Sequence, residues 1–197
     1  MPRFSRWTSR PVLSVTLTVT IVAVLLALPA PVRAQDVMSK EAAAALKASF
    51  LADLDTMQKK YVGLAEAFPP DKYTWKPMDG VRSVSEVLML VAFEGYNFVP
   101  TSFGAKPADL GSKEEAAKLR TLSDKTQVIA HLNKGFAHAK QAFEAVDPGT
   151  LTGKRKLFGA ERNSIDIAQL VGGDMHEHLG QLIAYARMNH IVPPWSK

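Results

Sequence analysis

The sequence predicts an all-α protein, a four-helix bundle, on three observations. Four long segments carry apolar residues three and four apart, the spacing that lines up side chains on one face of a helix. Each segment is bounded by residues that start or stop helices, and no stretch convincingly alternates apolar and polar residues as a half-buried strand does. Four such helices bury their stripes against one another around a single core.

Ahead of the first helix, Arg3, Arg6 and Arg10 precede an apolar run from Val12 to Leu28, and Val32 and Ala34 are small residues three and one before Gln35. This is the layout of a secretory signal peptide, so residues 1–34 are expected to be a leader and 35–197 an exported domain, periplasmic or secreted. The run approaches bilayer length, which leaves an uncleaved anchor as the alternative; Ser14, Thr16, Thr18 and Thr20 dilute it. Four of the 24 basic residues and none of the 19 acidic ones precede residue 35, leaving 20 against 19 and a net charge of +1. With no basic stripe on the domain, nucleic acid is not an expected partner, and a membrane is expected only through an uncleaved leader. The absence of cysteine excludes a disulfide framework, a cysteine nucleophile and a thiolate-ligated metal.

From Ser39 the first stripe reads Leu46, Phe50, Leu54, Met57, Tyr61, Leu64 and Phe68, until Pro69 and Pro70 stop the helix. After a loop containing Trp75, Pro77 and Gly80, Ser83-Val84-Ser85-Glu86 has the form of a capping box. The second stripe follows it with Val84, Val87, Leu88, Val91, Gly95 and Phe98, up to Pro100. Residues 103–122 are polar and loop-like, with a second capping-box pattern at Ser112 to Glu115 that would open a short helix. The third helix begins near Asp124, carries Ile129, Leu132, Phe136, Ala139, Phe143 and Val146, and ends at Asp147-Pro148-Gly149. His131 and His138 lie two residues off its stripe and are expected in solvent. Residues 150–162 show too little periodicity to assign. The fourth helix starts near Asn163, ends before Pro193, and turns Ile167, Leu170, Val171, Leu182 and Tyr185 inward.

Continued through its middle, that fourth stripe places Asp174 and His178 inward, four apart and stacked, with His176 on roughly the opposite side. Two ligands four apart on a helix can share one metal ion. A buried, hydrogen-bonded Asp–His pair without metal accounts for the same residues. Trp75, Tyr96 and Trp195 are expected as lids on the core, and no nucleophile elbow or phosphate loop is present.

The runs YTWKPMDGVRSVSEVLMLVA (Tyr73–Ala92) and HLGQLIAYARMNHIVPPWS (His178–Ser196) resemble the DinB family, and the likeness extends over essentially all of residues 35–197. The resemblance implies an up-down-down-up bundle, often dimeric, with a pocket at one end. It also implies a divalent metal such as nickel or zinc, held by one histidine of the second helix and two, four apart, on the last. Some relatives are metal-dependent thiol transferases or isomerases. Carried over residue by residue, the second-helix histidine falls on Leu90, which cannot bind metal, the first last-helix histidine on Asp174, and only His178 is retained. Glu94, one turn beyond Leu90, would supply the missing oxygen; a solvated or hydrogen-bonded Glu94 is the alternative. Glu94, Asp174 and His178 would form a carboxylate-rich site suited to manganese or iron more than to a thiolate-loving metal.

Two functions are then expected of such a chain. The first is an exported metal-dependent enzyme, a thiol transferase or hydrolase-like protein with a degenerate site between the second and fourth helices. The second is a non-catalytic, small-molecule-binding or stress-related bundle that has lost tight metal binding. A small molecule is the expected partner in both, with homodimerisation implied by the resemblance.

Overall fold

The computed structural model describes residues 38–196, so the expected leader lies outside the described residues. Within them the chain is mostly helical, as the stripes predict, and no helix there is long and apolar enough to cross a membrane. The first helix, α1 (Lys40–Ala67), begins where the Ser39 hydroxyl accepts the Ala42 N–H at 3.1 Å. It closes on a bond from the Phe68 N–H to the Leu64 carbonyl, after which Pro69-Pro70 turns the chain. Its buried face carries Phe50, Leu54, Met57, Tyr61 and Leu64, the predicted stripe.

Ser83 and Glu86 form the predicted capping box of α2 (Val84–Phe93). The Glu86 N–H donates to Ser83 Oγ at 3.3 Å and the Ser83 N–H donates to Glu86 Oε2 at 2.6 Å. Ser83→Ala is expected to cost about 1 kcal/mol of unfolding free energy, the usual value of a lost N-cap. Urea unfolding checks this, and an unchanged midpoint would show that the cap contributes nothing.

Past Phe93 the helix departs from the predicted register. Glu94–Phe98 form one widened turn, closed by a bond from the Val99 N–H back to the Glu94 carbonyl five residues earlier, before α3 (Val99–Ser102) resumes the ordinary winding. Pro100 therefore lies within the helical run instead of ending it. It has no N–H to offer the Tyr96 carbonyl, and the Ala108 N–H fills that place at 2.8 Å. Beside the widened turn, α5 (Lys125–Glu144) crosses at backbone contact. A Cβ on Gly95 would lie 2.5 Å from the carbonyl of Gly135, and one on Gly135 would lie 2.5 Å from the Ala92 oxygen. Between them α4 (Lys113–Arg120) starts with the predicted Ser112–Glu115 box.

Two expectations need correction, and one unassigned segment gains a structure. His131 and His138 are half-buried, because α5 packs on both α1 and α2 and so buries a face wider than one stripe. His131 Nδ1 lies 3.1 Å from the Tyr96 hydroxyl. The unassigned segment 150–162 holds a two-stranded hairpin, β1 (Arg155–Leu157) and β2 (Ala160–Arg162), three residues each and too short to show a period in sequence. Its two tip residues, Phe158 and Gly159, have φ of 50° and 78°, which suits the tight turn joining antiparallel strands. In α6 (Ser164–Met188) the core-facing residues at mid-helix are Val171, Met175 and Leu179, while Asp174 and His178 sit one position to the side, half-buried at the edge of the core.

The core joins α1 to α5 and α6, and α2 to the same two helices. Phe50, Phe103 and Phe143 cluster with ring centroids 4.5 to 5.2 Å apart. Trp75 packs edge-on against Tyr185 at 5.5 Å and Tyr96 is buried, so both cover the core as expected, whereas Trp195 is 39% exposed.

Candidate metal centre

Three side chains from two helices meet where the widened turn faces the middle of α6. Glu94 leaves the first residue of that turn, and Asp174 and His178 leave successive turns of α6. His178 Nε2 lies 3.5 Å from Glu94 Oε1 and 3.9 Å from Asp174 Oδ1, and one ligand atom from each of the three falls within 4.8 Å of the others. Of the sequence alternatives to a shared site, an Asp174–His178 hydrogen bond and a solvated Glu94 do not fit these positions, whereas a Glu94 carboxyl hydrogen-bonded to Asp174 does. The 3.9 Å gap is too long for an Asp174–His178 hydrogen bond. Glu94 is not solvated, being 5% exposed, and no donor reaches its buried Oε2. His176 is on another face, where Nε2 lies 3.0 Å from Asp53 of α1.

Electrostatics follow from that crowding. Burial, then the negative charge of Asp174 and a hydrogen bond to it, push the Glu94 carboxyl up to about 8, with the Arg82 charge opposing weakly. Tyr61 donates its hydroxyl hydrogen to the Met175 carbonyl, and its own burial together with the charges of Glu94 and Asp174 makes it harder still to ionise. Behind His178, Nδ1 faces Gln181 Oε1 at 3.4 Å, the Gln181 amide donates to the Tyr185 hydroxyl at 2.8 Å, and that hydroxyl donates to the Arg82 carbonyl at 3.1 Å. A proton on Nδ1 facing Gln181 leaves the Nε2 lone pair directed at the carboxylates.

Glu94 and Asp174 also form part of the wall of a cavity of about 330 Å³. Leu90, Phe93, Phe98 and Leu170 supply its apolar surface, Phe158 reaches it from the hairpin tip, and Arg120 closes one side with its guanidinium 4.1 Å above the Phe93 ring. Leu90 thus faces the same space as Glu94. Sequence reasoning missed Arg120 and Phe158, which lie in segments without a core stripe. It also missed Gln181, for which the three-residue spacing after His178 was the available signal.

No curated protein matches the sequence. The family model of the DinB superfamily matches residues 53–182, a span that contains Glu94, Asp174 and His178 and most of all four long helices. With that match added to the two sequence signatures, the chain belongs to the DinB superfamily.

Proposed function

We propose that Glu94, Asp174 and His178 hold a divalent cation and that the chain acts on a small molecule seated in the adjoining cavity. The observation that carries this reading is the buried Glu94 carboxyl, whose Oε2 has no hydrogen-bond partner and whose Oε1 lies 3.5 Å from His178 Nε2, grouped with a second carboxylate, Asp174. A buried carboxylate beside a second, half-exposed one needs a proton or a cation between them. The donor set fits a cation after small side-chain shifts: ligand atoms about 2.1 Å from one ion stand about 3.0 Å apart in octahedral and about 3.4 Å apart in tetrahedral geometry. The His178 nitrogen is 3.5 and 3.9 Å from its two oxygen partners. Two oxygens and one imidazole form a hard set, which favours manganese or iron(II) over nickel or zinc.

When bound, the cation would supply Lewis acidity that acidifies an attacking thiol or water. The chain's own part is otherwise positional. Gln181 and Tyr185 fix the His178 ring, Glu94 anchors the site from beneath, and half-exposed Asp174 faces the cavity. Leu90, Phe93 and Phe98 would exclude water from around an apolar substrate body. A thiol transfer or hydrolytic reaction suits this arrangement.

The same reading includes an up-down-down-up four-helix bundle, supported by the contacts of α1 and of α2 with both α5 and α6. It also includes export with cleavage before Gln35, which N-terminal sequencing of protein from the exported fraction would check, and homodimerisation, which light scattering would check. Metal analysis of protein isolated from the exported fraction is the central test. Near one equivalent of metal is expected, falling below a tenth in His178→Ala. Metal-free protein of unchanged stability would overturn the proposal in favour of a non-catalytic, ligand-binding bundle.

A further inference from the structure

We propose that a second cavity, sharing no wall residue with the metal centre, is a binding site for a small organic anion with an apolar body. It encloses about 720 Å³, within the range of small-molecule sites, and is built where the turn after α3, the C-terminal half of α5 and strand β1 meet. Its apolar surface comes from Phe103, Ala142 and Val146. Three of its six polar side chains are basic, Lys106 from the turn, His138 from α5 and Arg155 from β1, and only Asp147 is acidic.

None of the three is neutralised. Among the described residues Lys106 has no hydrogen bond or ion pair, and Arg155 makes one long bond, 3.4 Å, to the Thr150 carbonyl. His138 Nε2 and Arg155 Nε are buried with no hydrogen-bond partner. Buried nitrogens left in that state are costly, and acceptor oxygens on a ligand would relieve the cost after a small adjustment of the side chains. The one acid on the wall, Asp147, is exposed and already accepts the Gly149 N–H at 2.7 Å.

Two further features favour an anion. The C-terminal carbonyls of α5 would repel one, but the Lys47 ammonium covers that of Glu144 at 2.6 Å and that of Val146, just past the helix, at 2.7 Å. At Gly104, with φ of 78°, any side chain would collide with the Arg155 guanidinium, so the glycine allows that group to lie against the backbone at the cavity wall. A guanidinium and an imidazole beside an apolar surface match a carboxylate on an aromatic or alkyl body.

Calorimetric titration with 2-naphthoate, 2-naphthalenemethanol and 2-naphthylmethylammonium tests the proposal, since the three probes share a body and differ in charge. The carboxylate is expected to saturate one site at least tenfold more tightly than the alcohol, with the ammonium weakest. Lys106→Gln and Arg155→Gln should each weaken the carboxylate at least threefold and leave the alcohol unchanged. Lys106 is exposed, so its variant decides the matter even if Arg155→Gln fails to fold. Glu94→Gln should leave the carboxylate affinity unchanged. Equal affinity for carboxylate and alcohol, an unaffected Lys106→Gln, no binding up to millimolar probe, or loss of binding in Glu94→Gln would each overturn the assignment.

Discussion

Gly135→Ala is expected to destabilise the protein by about 2 kcal/mol or more, the cost of overpacking a close-packed contact. Helix propensity alone predicts the opposite sign, since glycine inside a helix is about 1 kcal/mol worse than alanine. The contact decides between them. A Cβ at Gly135 would sit 2.5 Å from the Ala92 carbonyl oxygen and 3.0 Å from the Ala92 Cα. Both are backbone atoms of a buried helix, so no side chain can swing aside, and the two helices must separate. Gly173 is the control, because it lies within α6 and a methyl group there would meet nothing within 4 Å. Gly173→Ala should therefore stabilise by about 0.5 to 1 kcal/mol, as propensity dictates. Urea unfolding of both variants checks the opposite signs. A Gly135→Ala protein as stable as the parent would mean that the helix crossing is looser than described. Since Glu94 immediately precedes Gly95 at this crossing, the same variant should also bind cations more weakly.

In metal-free protein, stability should fall as pH rises from about 4.5 to about 8, the interval between the ordinary and the raised value of Glu94. The folded state holds the Glu94 proton throughout that interval and the unfolded chain does not, so the folded state binds more protons and loses ground as they become scarce. The contribution of this group is complete below pH 4.5 and is gone above pH 8. Its size is bounded by the shift at about 1.4 kcal/mol per unit, on the order of 5 kcal/mol in all. Glu94→Gln keeps the shape and removes the titration. That variant should show a flatter profile over the same interval and higher stability than metal-free parent at pH 8, while binding no metal. A bound cation should flatten the parent's profile as well, because it takes the place of the proton, and its affinity should rise with pH through the same interval. The prediction fails if parent and Glu94→Gln melt with the same pH dependence without metal.

What was legible in the sequence was whatever depends on neighbours within a turn or two. Ser39, Ser83, Ser112 and Asp124 start helices because their side chains reach the N–H three residues on, and Pro69-Pro70 stops one because a missing N–H and a fixed φ act locally. The Asp174–His178 spacing and the place of Glu94 one turn beyond Leu90 were legible for the same reason. Less was legible where several partners share one element. The width of the buried face of α5, and with it the burial of His131 and His138, depends on two neighbouring helices packing at once. The hairpin at 155–162 is too short to carry a period. Whether Glu94 would meet Asp174 and His178 was a question about two helices more than seventy residues apart in sequence. The tertiary structure decided it: one widened turn and the backbone contact of Gly95 with Gly135 set the buried position from which Glu94 faces α6. Helix ends follow from local hydrogen bonds, but a site shared between helices follows from how closely their backbones approach, which no single stretch of sequence determines.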